Sequence, residues 1–153
     1  MAATAWQLYN SAKKYIGNGT ITLGTSAVYK MVLAKAASNA STFTLSTYAS
    51  VTNEIVAAGG YVTGGRSLVP ATGQWVVGAS AKQQKFTMST VGLAFTASGA
   101  NLVDIKYAVI RNSTGAAAGK LLCFCQLSSS NFTVTSPNTL TVLPAATGIF
   151  TLT

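Results

Sequence analysis

The sequence predicts a mainly β protein, an antiparallel β-sandwich or barrel with one short N-terminal helix. Two observations carry that expectation. From residue 74 onward, short runs rich in β-branched and aromatic residues follow one another, separated by clusters of Gly, Ser, Asn and Pro. The clearest helical period lies in the first sixteen residues, where start and stop signals accompany it. Jelly-roll connectivity is one arrangement that short strands at this spacing take. The 153 residues suit one domain spanning 1–153, and no internal repeat or linker divides them.

Thr4 followed by Gln7 has the form of a capping box, and Leu8, Ala12, Tyr15 and Ile16 recur at helical spacing before Gly17. This predicts a helix over 5–16, within an N-terminal helical segment 1–16. Lys13 and Lys14 fall in its last turn, where cations complement the carbonyl end of the dipole. Residues 20–23 alternate as a strand, and 28–35 form a β-rich run broken by lysines. Residues 46–56 predict a second short helix with Tyr48, Val51, Ile55 and Val56 inward, ended by Gly59-Gly60. The glycine-rich stretch 59–66 lacks the Gly-Lys-Ser/Thr ending of a phosphate loop and is expected to be a turn-rich connector. Strands are then expected at 74–77, 85–90, 91–97, 104–111, 120–127, 131–135, 139–143 and 149–152.

The chain holds two carboxylates, Glu54 and Asp104, and no histidine, against ten lysines and arginines and a formal charge of +8. General acid–base catalysis and hydrolytic metal sites draw on the side chains that are scarce here. No catalytic, cofactor-binding or metal-ligating residues are therefore expected, and no cofactor. Ser-Lys catalysis is the one nucleophilic scheme without histidine, but Ser11 with Lys14 and Ser80 with Lys82 sit in no recognised motif. Cys123 and Cys125, two apart on an expected strand, point to one face and read as small buried hydrophobes. Asp104 and Lys106 would likewise share a strand face as an ion pair.

Charged residues make up 8% of the chain, against about 25% in ordinary soluble domains. A polar but sparsely charged exterior fits a protein covered by neighbours in an assembly. The sequence has no run of apolar residues long enough for a membrane span and no signal-peptide pattern, so no membrane partner is expected. A pI near 9.8 makes nucleic-acid binding a rival from another class. It is the less favoured one, because the cations are scattered and Lys13-Lys14 is the sole adjacent pair.

Leu8-Tyr9-Asn10-Ser11-Ala12-Lys13, Gly17-Asn18-Gly19-Thr20-Ile21-Thr22-Leu23 and Tyr29-Lys30-Met31-Val32-Leu33 resemble the opening of a family of small virion structural proteins of tailed bacteriophages. Thr52-Asn53-Glu54-Ile55, residues 60–68, Tyr107-Ala108-Val109-Ile110-Arg111-Asn112 and Gly148-Ile149-Phe150-Thr151-Leu152 match later blocks in the same order. The resemblance implies a head decoration or cement protein on the capsid surface of the virion, made in the host cytoplasm, with a tail or neck component as the alternative. It also implies a homo-oligomer, a trimer being favoured, and as partner the major capsid protein or another virion protein with an acidic surface. The family is rich in aspartate, notably before the strand matching residues 74–77, and here those acids are nearly absent. Contact residues expected from aromatic area and charge are Trp6, Tyr9, Lys13, Lys14, Arg66, Lys82, Lys85 and Arg111.

Overall fold

The structure, a computed structural model, describes residues 3–24, 27–68, 75–78, 82–89 and 91–152. Every strand pair among them is antiparallel. The centre is a six-stranded sheet built on β2 (Tyr29–Lys35), β7 (Leu102–Asn112) and β8 (Leu121–Gln126). Two short strands extend its edges: β1 (Gln7–Leu8) beside β8 and β3 (Arg66–Ser67) beside β2. β9 (Phe132–Val134) pairs with the start of β7. A two-stranded sheet joins β6 (Leu93–Thr96) to β10 (Thr139–Val142). A three-stranded sheet runs in the order β11 (Phe150–Leu152), β5 (Gln84–Phe86), β4 (Trp75–Val77). The sheets are open, so the layered alternative holds and no closed barrel forms among the described residues.

The middle of the central sheet is buried on both faces, which is why 31–34, 107–110 and 121–125 are unbroken apolar runs rather than alternating ones. One face carries Tyr29, Met31 and Leu33 in register with Ile110, Ala108, Cys123 and Cys125. It packs on the small sheets, where the Tyr29 ring meets Phe86 edge-on at 5.0 Å and Phe86 stacks on Phe150 at 5.4 Å. The opposite face carries Val32, Val109 and Phe124. Tyr9 and Phe43 close over Phe124 with ring separations of 5.0 and 5.3 Å.

The N-terminal helix is shorter than the sequence predicts. Thr4 makes no capping box: its amide donates to the Gln126 carbonyl at 2.8 Å, and its hydroxyl oxygen accepts from the Gln126 amide at 3.0 Å. Gln7–Leu8 then pairs with Phe124 and Cys123, so the backbone stays extended up to Tyr9 and α1 spans only Asn10–Gly17. Ladder bonds to an open sheet edge outweigh a local helical preference here. The alternation at 20–23 forms no strand; the Ile21 amide bonds back to the Tyr15 carbonyl at 2.9 Å, and Ile21 and Leu23 are buried. The expected helix at 46–56 reduces to one 3₁₀ turn, Tyr48–Ser50. Beyond it the chain runs extended along β2, with Lys35 N–H donating to Asn53 and Ile55 N–H to Leu33, and Val56 is left exposed.

The Asp104–Lys106 ion pair is replaced by another arrangement. Asp104 sits at a register shift in β7 with φ +62°, which turns it out of strand alternation, and its carboxylate accepts from Asn131 Nδ2. Of the residues assigned to expected strands, Gln74 and Thr90 lie outside the described residues.

Candidate binding surface

The eight expected contact residues do not form one site: Lys13, Lys14 and Arg111 belong to the end of the central sheet near α1, and the others lie elsewhere or are buried. Tyr9 is a core residue: it is fully buried, and its hydroxyl donates to the Ala40 carbonyl at 2.6 Å, so no partner can use it as an anchor. Trp6 is half-buried and lines a cavity of about 420 Å³ with Ala3, Cys125, Leu127, Val142 and Ile149. Arg66 is exposed, its guanidinium donating to the Ala94 carbonyl across the surface and tying β3 to β6. Lys85 is half-buried, with Nζ 3.4 Å from the Ala146 carbonyl, while Lys82 is exposed. Lys13 and Lys14 are exposed on α1.

Arg111 belongs to a polar cluster that sequence reasoning missed. Its Nε and Nη2 donate to the Gly64 carbonyl at 3.3 and 2.9 Å, and its guanidinium lies 4.4 Å from the centre of the Tyr48 ring. The Gly64 amide in turn donates to Glu54 Oε1 at 2.8 Å, and Tyr61 donates to the same oxygen at 2.6 Å. Tyr48 donates to Glu54 Oε2. The glycine-rich stretch thus does wrap an anion, and the anion is the chain's own carboxylate. Burial, with the hydrogen bond to Glu54 adding to it, pushes the Tyr48 hydroxyl up to about 12 and raises Tyr61 further. The rarity of Glu54, one of two carboxylates in the chain, is the signal that could have found it.

Nucleophiles are committed or muted. Ser11 Oγ donates to the Leu45 carbonyl at 2.8 Å, holding α1 to the loop beneath it, and Ser80 lies outside the described residues. Cys123 and Cys125 are free and buried; burial raises the Cys123 thiol well above its ordinary value and pushes Cys125 up to about 12. Among the described residues no group of three or more His, Cys, Asp or Glu side chains is placed to hold a metal ion. No helix among them is long and apolar enough to cross a membrane.

Both carboxylates are therefore held by neutral donors of the same chain, Glu54 by two tyrosines and a backbone amide in a half-buried cluster, Asp104 by an asparagine at the surface. Hydrogen bonds from neutral donors leave both carboxylates charged, so the net charge stays at +8. Comparison with protein-family models, curated proteins and solved structures found no match.

Proposed function

We propose that this chain is a structural protein of a tailed-phage virion, a decoration or cement protein that adheres to an acidic neighbouring surface and bridges coat subunits. The observation that carries this reading is the pairing of a +8 chain with two carboxylates that are both engaged internally. Such a field draws a negative surface in and works against packing with like-charged copies, unless an acidic partner offsets it. The layered antiparallel frame and the muted thiols support an adhesive rather than a chemical role.

Cementing needs no single strong contact. A site with a dissociation constant of about 1 mM supplies roughly −4 kcal/mol. An oligomer that engages several equivalent sites at once gains roughly a hundredfold or more through effective concentration. The test is quantitative composition of purified particles by mass spectrometry. The reading predicts a copy number commensurate with the coat subunits; a handful of copies moves the protein to tail or neck, and none removes it from the virion.

A further inference from the structure

Five of the ten cations are gathered at one end of the central sheet. Lys30 on β2 and Arg111 on β7 are direct cross-strand partners, and Arg111 is in register with Leu121 on β8. Lys120, the residue before Leu121, sits with Nζ 5.0 Å from the centre of the Tyr15 ring, which places it against α1, whose exposed Lys13 and Lys14 are the remaining two. Lys35 and Lys106 occupy the other end of the same strands. Five residues of strand, about 17 Å, separate Lys35 from Lys30. The Arg111 guanidinium is engaged by the Gly64 carbonyl and the Tyr48 ring, so the outward charge at this end falls mainly to Lys30, Lys120, Lys13 and Lys14.

Next in sequence to α1 and to Lys120, a concavity of about 250 Å³ is lined by Thr20, Thr22, Asn112 and Thr114 together with Ala27 and residues 115–117, none of them charged. It opens between the exit of α1, where Ile21 N–H bonds back to Tyr15, and the β7–β8 turn, where Lys120 N–H bonds to Ala117. The Thr114 hydroxyl is spent on Asn112 Oδ1, which leaves the hydroxyls of Thr20 and Thr22 as the donors a carboxylate would accept from there. We propose that this end of the molecule is the docking surface, and that its partner is an acidic stretch of protein presenting Asp and Glu side chains. The proposal rests on the adhesive reading of the charge.

A nucleic acid fits the same surface less well. Single strands need free aromatic faces for base stacking. Here the Tyr15 and Tyr48 rings already carry Lys120 and Arg111. A small hydroxyl-lined hollow suits one carboxylate at a time, where a phosphate backbone wants a continuous basic track.

The test compares two triple variants of the full chain that lose the same charge: K13Q/K14Q/K120Q at the proposed surface, and K35Q/K82Q/K106Q away from it. Binding to poly-L-glutamate and to duplex DNA is measured at low salt, with circular dichroism checking the fold. The surface triple should bind poly-L-glutamate about tenfold or more weakly while the control stays within about twofold. Should K120Q disturb the Tyr15 contact, K13Q/K14Q on exposed helix positions still reads the effect, at about threefold or more. Equal losses in the two triples overturn the surface assignment, and tighter binding of DNA than of poly-L-glutamate overturns the partner class. Absence of the chain from particles removes the virion reading and leaves these outcomes as they stand.

Discussion

Glu54 links the 3₁₀ turn, the Gly-rich connector and the β2 edge through one side chain, so its replacement tests how much the internal carboxylate matters. Glu54→Gln turns one acceptor oxygen into a donor that faces a tyrosine hydroxyl, and urea denaturation should show a loss of about 1–3 kcal/mol. Alkali probes the same cluster from the other side. Tyr48 is raised to about 12 by burial and by its bond to Glu54, so the folded state keeps a proton that the unfolded chain releases near pH 10. Its contribution is complete below that pH and is lost as pH rises through about 12. Cys125, raised to about 12 by burial, acts with the same sign from its ordinary value near 9. Stability measured by denaturation should therefore fall steadily across that alkaline window.

At the scale of elements, glycines with positive φ separate positions that need only the backbone angle from those that need the space as well. Gly65 has φ +78°, and a Cβ there would collide with the Met31 carbonyl where β3 joins β2. Gly119 has φ +81° but open space around it. Gly65→Ala should cost about 3 kcal/mol or more and Gly119→Ala about 1–2 kcal/mol, read as shifts in the denaturation midpoint. Elements were legible in the sequence where the local signal and the tertiary need agreed. Most strands from residue 75 onward emerge from alternation and turn residues within a position or two of expectation, as at Leu121–Gln126 and Thr139–Val142, whereas the strand expected at 85–90 ends at Phe86. The two misread helical segments share one cause. Thr4 to Leu8 and Asn53 to Ile55 carry helical spacing, but each lies along an open edge of the central sheet and takes its backbone partners there. Sheet edges recruited from distant sequence leave no local mark, which is also why the two-residue strand at Arg66–Ser67 was invisible.

For the whole molecule, the candidate surface was only half legible. Composition revealed the excess of cations, and Lys13 and Lys14 stood out as neighbours; Lys30, Lys120 and the Tyr15 and Tyr48 rings join the account through pairings of residues up to about a hundred positions apart. Aromatic count misled at Tyr9, whose ring the sheet uses for its own core. The central claim is that a net charge of +8, with only two carboxylates to oppose ten cations, makes the protein adhere to an acidic surface. It is tested most directly by re-adding the purified chain to particles stripped of it and measuring bound protein as salt is raised. Since the screening length falls from about 30 Å at 0.01 M salt to about 8 Å at 0.15 M, the account predicts saturable binding that weakens steadily over that range. Binding that ignores salt, or no binding even at the lowest salt, would contradict it.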